Sequence, residues 1–200
     1  MKNEECKRLR ELIQVFLEEN KKLNLSAYRT EETCWIGNIL DSLSFLDILP
    51  SLKIVNCKLK ILDIGTGGGF PLLPLAICLH DIQCTGIDST KKKIDAVERI
   101  VHAMQLSNVN VIWGRAEEHK TQYDIVLARA IAPLKKLLPI ASSLTKPDGY
   151  LVFWKSMKIE EELKESVHMQ HKLGCTLIDK HVYELPGNWG ERQLLVFKKR

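Results

Sequence analysis

The residues best suited to chemistry form a glycine loop, Asp63-Ile64-Gly65-Thr66-Gly67-Gly68-Gly69-Phe70, placed after an apolar run and ahead of a helical pattern. Such a turn lets the backbone approach a ligand closely, and its open N–H groups hold polar or anionic atoms. A dinucleotide fingerprint needs Gly-x-Gly-x-x-Gly, but Phe70 stands at its last position and a glycine falls one place early at Gly69, which weakens a pyrophosphate ligand. Asp88 closes the next apolar run, where a carboxylate accepts both ribose hydroxyls of a nucleoside. Its competing role, shared with Ser89, is to cap the helix that Lys91 continues. After the third run, Gly114-Arg115-Ala116-Glu117-Glu118 is suited to wall a nucleobase, with a solvated acidic turn as the alternative. Arg129 ends the run Ile125-Val126-Leu127-Ala128, and a charge after so apolar a strand is seldom there for stability alone. The chain has no Gly-x-Ser-x-Gly elbow and no His-Glu-x-x-His helix, so hydrolase and metalloenzyme chemistry gain little support. His168 and His171 are the closest histidine pair and lie on a polar helical stretch without further ligand candidates, so no metal is expected.

The elements that must position these residues follow from hydrophobic period. Leu9, Leu12, Ile13, Phe16 and Leu17 give one helix over 4–22, and Trp35, Ile39, Leu43 and Leu46 give a second from Glu31 to Leu49, stopped by Pro50. From residue 59 the pattern changes to short apolar runs at 59–64, 82–87, 109–113, 124–129 and 149–154, as expected of parallel strands covered on both faces. Helices are expected at Lys91–Leu106, Pro133–Leu144 and Ile159–Leu173. Thr176–Glu184 and Gln193–Phe197, joined by Pro186-Gly187-Asn188-Trp189-Gly190, read as a hairpin. The expected organisation is an N-terminal helical extension, 1–56, packed on an α/β domain, 57–200.

Composition sets the outer bounds. The 200 residues are 45% hydrophobic and 27% charged, near the globular average, which disfavours a disordered or membrane-embedded chain. The longest apolar run, Phe70 to Leu79, is too short to span a bilayer and is broken by Pro71 and Pro74. The N-terminus lacks the pattern of a secretory signal, and the six cysteines read as small core residues in a reducing cytoplasm. A net charge of +4 is compatible with a polyanion partner without requiring one.

Asp-x-Gly-x-Gly-x-Gly with Asp88 at the second strand end resembles motif I of class I methyltransferases, which bind S-adenosylmethionine. The terminal antiparallel pair matches the seven-stranded, Rossmann-like sheet of that class. The fourth strand end lacks the Asn- or Asp-Pro-Pro-aromatic element with which adenine and cytosine amino methyltransferases accept an exocyclic amine. More specifically, Asn24-Leu25-Ser26, Ile39-Leu40-Asp41-Ser42-Leu43, Asp63 through Pro71, Asp88-Ser89, Arg115-Ala116-Glu117-Glu118, Arg129-Ala130 and Lys155 together resemble the RsmG/GidB family, which methylates a guanine N7 in small-subunit ribosomal RNA. The resemblance covers most of the chain. It implies that Gly65, Gly67, Phe70, Asp88, Ala116, Glu117 and Arg129 contact S-adenosylmethionine, and that Arg115, Arg129 and Lys155 face 16S ribosomal RNA in the 30S subunit or an assembly intermediate.

Arg129, bordering both ligands, is the expected catalytic residue, and Arg129→Ala is expected to cripple methyl transfer while leaving an exposed strand end, and hence the fold, intact. The sequence departs from the family pattern at Gly37-Asn38, where a basic residue and His are usual, at Leu72 in place of a glycine, and at Ser156 in place of the glycine after the lysine. Two other readings stay open: a methyltransferase for a small metabolite with the N-terminal helices as a lid, and a catalytically silent S-adenosylmethionine-binding module. No obligate protein partner and no membrane association are expected.

Overall fold

A computed structural model describes residues 3–52, 54 and 59–200. The boundary expected between residues 56 and 57 lies outside the described residues, as do Met1, Lys2 and Cys57.

Helix α1 spans Asn3–Leu23, with Glu4 and Glu5 in its first turn and Lys21 and Lys22 in its last, each complementing the helix dipole. The stripe expected from the sequence is the one it buries: Leu9, Leu12, Ile13 and Phe16 are all fully inaccessible. The second helical stretch starts as expected at Glu31, where Thr30 and Thr33 form a capping box. It then differs from a single helix. α2 (Glu31–Cys34) passes into a π-helical turn at Trp35–Leu40, then α3 (Asp41–Leu43), α4 (Phe45–Ile48) and a 3-10 turn at Leu49–Ser51. Periodicity alone does not register a widened turn, and such turns are frequent at functional sites.

The remainder alternates β1 (Lys60–Ile64), α5 (Leu72–Cys78), β2 (Gln83–Asp88), α6 (Lys91–Ala103), β3 (Val109–Trp113), β4 (Tyr123–Arg129), α7 (Leu134–Leu144), β5 (Thr145–Lys155), α8 (Glu160–Leu173), β6 (Cys175–Glu184) and β7 (Glu191–Lys199). The seven strands form one sheet in the order β3-β2-β1-β4-β5-β7-β6. The first five pair in parallel, and β7 runs antiparallel to both β5 and β6. Each expected strand is present. β5 starts earlier than expected, because its register with β4 shifts between Tyr123 and Ile125 and carries the ladder back to Thr145.

Alternation along each strand divides the core. Ile61, Ile125, Leu127, Val152 and Val196 meet α1, α5 and α6 on one face. Their neighbours Leu62, Val126, Leu151, Phe153, Leu195 and Phe197 meet α7 and α8 on the other. α1 therefore belongs to the wall of the sheet itself. Glu19, buried on α1, accepts two hydrogen bonds from Arg99 of α6 and one from Lys22, which fixes the lateral position of the helix. No described helix is long and apolar enough to cross a membrane.

Candidate active site: two cavities joined at Arg129

Strand order reverses between β1 and β4, and ligands of open α/β sheets sit outside the carboxyl ends of the strands at such a switch point. β1 ends in the glycine loop and β4 in Arg129. Between them lies a cavity of about 350 Å³ whose lining includes Gly65, Asp88, Arg115, Ala116, Glu117 and Arg129. Two of the expected cofactor residues are absent from that lining. Gly67 gives its N–H to Asp88 Oδ2 at 3.0 Å, and Phe70 is packed edge-on against Phe16, with ring centroids 4.8 Å apart at 84°. The structure thus places Phe70 beneath the loop.

The loop path depends on glycine where φ is positive, at Gly65 (+63°), Gly67 (+56°) and Gly69 (+90°). A Cβ on Gly65 would stand 2.9 Å from Ile131 Cδ1, and one on Gly68 would stand 3.0 Å from the Phe16 ring. The loop is therefore clamped from above by the segment after β4 and from below by α1, a support that the apolar stripe of α1 did not by itself reveal. Asp88 holds the loop from the side. Its Oδ1 accepts the Thr90 N–H at 2.8 Å while Oδ2 accepts Gly67, leaving a lone pair on each oxygen for a ligand. The carboxylate braces the turn before α6, whose cap position is Thr90.

Asp63 opens the motif and is only 1% exposed, and neither of its oxygens has a hydrogen-bond partner; nor does the buried Thr66 hydroxyl. Burial pushes its carboxyl up to about 7, against the weaker opposing influence of Thr66, Arg129 and Leu72, with no hydrogen bond of good geometry among them. A buried carboxylate without such bonds is costly, and keeping its proton relieves that cost.

Arg129 is not the exposed strand-end arginine that the sequence suggested. Only 18% of its side chain is accessible, and its guanidinium donates to Gly37 O and Asp41 Oδ2, both at 2.9 Å, and to Asn38 Oδ1 at 3.1 Å. The π-helical turn is what directs Gly37, Asn38 and the start of α3 at one guanidinium. Asp41 is itself a junction: Tyr183 of β6 donates to Oδ1 at 2.6 Å, and Trp154 of β5 donates from Nε1 to the Asp41 carbonyl at 2.8 Å. Asp41 stood in the quoted family motif, but only its position in space gives it a role.

On the far side of Arg129 lies a second cavity, of about 560 Å³, lined by Tyr28, Asn38, Asp41, Lys155, Glu162 and Arg192 among others. Arg129 and Ala130 line both cavities. Of the three residues expected to face RNA, exposed Arg115 stands on the first cavity, Lys155 on the second and Arg129 on both. Lys155 Nζ is held by Ala132 O at 2.8 Å and Glu162 Oε1 at 2.6 Å. The departures from the family pattern have local explanations in part. Leu72 places its Cδ2 2.6 Å from where a Cβ on Gly86 would be, filling space that glycine leaves. Gly37 and Asn38 sit directly on Arg129. Among the described residues no three His, Cys, Asp or Glu side chains gather as a metal site.

The chain matches the family model described as GidB, rRNA small subunit methyltransferase G, over residues 5–193. It is 37% identical to the ribosomal RNA small subunit methyltransferase G of Desulforamulus reducens over 191 residues, covering 92% of this chain and 78% of that protein. It is 34% identical to the protein of the same name from Staphylococcus epidermidis, covering 100% and 84%. Among solved structures it resembles magnesium protoporphyrin IX methyltransferase from Synechocystis PCC 6803 with bound SAM, with a TM-score of 0.68, 11% identity, and coverage of 100% and 99%. It also resembles TYW2 from M. jannaschii in complex with AdoMet, with a TM-score of 0.57, 18% identity, and coverage of 77% and 74%. At these identities the two structures establish a shared fold.

Proposed function

Because this chain belongs to the GidB family, rRNA small subunit methyltransferase G, we propose that it methylates the N7 atom of one guanine in 16S ribosomal RNA, with the cofactor in the first cavity and the base in the second. The chain is an S-adenosylmethionine-dependent ribosomal RNA methyltransferase of the class I fold. The choice of guanine N7, the 30S subunit or an assembly intermediate as the form of the substrate, and a cytoplasmic location are parts of the proposal.

The residues of the first cavity fit the cofactor. Gly65 brings bare backbone to the cavity wall beside Ile131, and Asp88 keeps acceptors for two ribose hydroxyls. Ala116 and Glu117 wall the base, and Gly67 and Phe70 act through the loop. Bound S-adenosylmethionine supplies a methyl group on a sulfonium. Guanine N7 carries a free lone pair at neutral pH, so transfer to it would pass the methyl and its positive charge to the base, release the thioether S-adenosylhomocysteine, and ask no residue of this chain to take a proton. The protein's contribution is alignment, which in well-oriented reactions is worth roughly 7–11 kcal/mol. The observation that carries the reading is that Arg129 borders both cavities and is fixed by three hydrogen bonds, so it holds the two ligands in register. Arg115 adds positive charge for the RNA backbone beside the first cavity, and Lys155 does so on the second by exchanging its Glu162 partner for a phosphate. In this scheme residues 1–56 form a helical extension built onto the methyltransferase unit, 57–200.

Incubating purified protein and S-adenosylmethionine with unmodified 30S subunits, then digesting the RNA for nucleoside mass spectrometry, should yield one 7-methylguanosine per 16S chain. A different methylated nucleoside, or none from 30S subunits and from deproteinised RNA alike, would refute guanine N7 as the target.

A further inference from the structure

We propose that the Tyr28 ring is the stacking face on which the target purine rests in the second cavity, held in place by Gly37 and backed by Trp189. The inference rests on the guanine reading above and assigns it a binding residue. Tyr28 lies between α1 and α2 in a segment fixed by one buried side chain. Asn20 donates from Nδ2 to Ser26 O at 3.2 Å and Tyr28 O at 2.9 Å, and its Oδ1 accepts the Ser26 N–H at 2.8 Å. The backbone at Tyr28 is thereby set before any ligand arrives.

The ring position is equally constrained. A Cβ on Gly37 would fall 2.3 Å from Tyr28 Cε2, 2.4 Å from Cζ and 2.8 Å from Trp189 Cζ3. No other residue type leaves that space. Trp189, at the turn between β6 and β7, meets Tyr28 with ring centroids 5.2 Å apart at 59°. Gly187 and Gly190, both at φ +73°, shape the turn that carries it. Two aromatic rings from opposite ends of the chain thus meet, and Tyr28 lines a cavity whose other sides carry Asn38, Asp41, Arg129, Lys155 and Glu162.

A purine needs a flat apolar face and polar partners at its edges, and this wall supplies both. Aromatic stacking accepts any base, and a ring already immobilised loses little freedom on binding. Because the same cavity shares Arg129 and Ala130 with the first, a base resting on Tyr28 lies beside the bound cofactor. Gly37 acquires a function on this account: it admits the ring where a side chain would exclude it.

The test is steady-state methylation of 30S subunits by wild type and by Tyr28→Leu, Tyr28→Met and Tyr28→Phe, with S-adenosylmethionine affinity measured on each by calorimetry. Loss of one stacked base corresponds to a decrease on the order of 10- to 100-fold, so Tyr28→Leu should lower kcat/KM for RNA by at least about tenfold, with cofactor Kd within about twofold of wild type. Tyr28→Met, which fills the space beside Gly37 without a rigid face, should behave the same and serves if the leucine variant fails to fold. Tyr28→Phe should stay within a few-fold of wild type. Wild-type kcat/KM in the leucine or methionine variant, an equal loss in Tyr28→Phe, or a loss confined to cofactor binding overturns the assignment. Wild-type enzyme that makes no 7-methylguanosine overturns the guanine reading and this inference with it; an active wild type with indifferent Tyr28 variants overturns this inference alone.

Discussion

Replacing Arg129 should weaken the fold as well as the reaction. Arg129→Met keeps most of the aliphatic stem and removes the guanidinium, breaking its hydrogen bonds to Gly37 O, Asn38 Oδ1 and Asp41 Oδ2. Removing one partner of a buried ion pair costs about 3–5 kcal/mol. Here the two side chains keep 18% and 12% accessibility, and Tyr183 still donates to Asp41, so water and a remaining donor soften the loss. The expected cost is about 2–4 kcal/mol, which for a domain near 200 residues lowers Tm by roughly 5–15 °C. Urea unfolding at pH 7 followed by circular dichroism measures it. A double-mutant cycle with Asp41→Asn separates the pair from the rest and should give a coupling of about 1 kcal/mol or more. If Arg129→Met unfolds within about 0.5 kcal/mol of wild type, the network is not what ties the N-terminal helices to the sheet.

Phe16→Ala should cost about 3–5 kcal/mol and also raise the Kd for S-adenosylmethionine, because the lost ring supports both Phe70 and the glycine loop; normal cofactor affinity in a folded variant would refute the bracing role. Asp88→Ala should lower cofactor affinity at least about 30-fold, since it removes the proposed ribose ligand and the acceptor of the Gly67 and Thr90 N–H groups at once, worth together a few kcal/mol; calorimetry showing an unchanged Kd would exclude it from the site. With the Asp63 carboxyl pushed up to about 7, the folded state keeps a proton that the unfolded chain releases near pH 4. Stability should therefore fall as pH rises from about 4 to 7, by up to about 4 kcal/mol, and Asp63→Asn should remove that slope. An identical pH dependence in wild type and Asp63→Asn would show that the carboxyl is not buried unpaired.

Strands and long helices were legible because their signals are local: alternation and apolar runs located every strand of the sheet, and the stripe from Leu9 to Phe16 identified the buried face of α1. The lining of the first cavity was legible for the same reason, since Gly65, Asp88, Ala116, Glu117 and Arg129 each end a strand or follow one, and strand ends converge at a switch point. What the pattern did not convey was contact across long stretches of chain. Arg129 reads as exposed from its position in β4 until Asp41 and Asn38 are brought against it. Phe70 reads as a ligand contact until Phe16 claims its ring. The π-helical turn is invisible to a period of 3.6, and Tyr28 and Trp189 carry no motif at all.

The Asp41 junction joins residues 88, 113 and 142 positions apart in sequence. During synthesis, the loop, β2 and β4 leave the ribosome well before β6 does, so the elements around the first cavity precede the last partner of Asp41. Long-range closures of this kind are slow, because chain entropy is lost before the contacts form. With donor and acceptor in the two cavities as proposed, the nascent enzyme is expected to gain its grip on the methyl donor before its grip on the acceptor, and to modify RNA only once its final hairpin has emerged and docked.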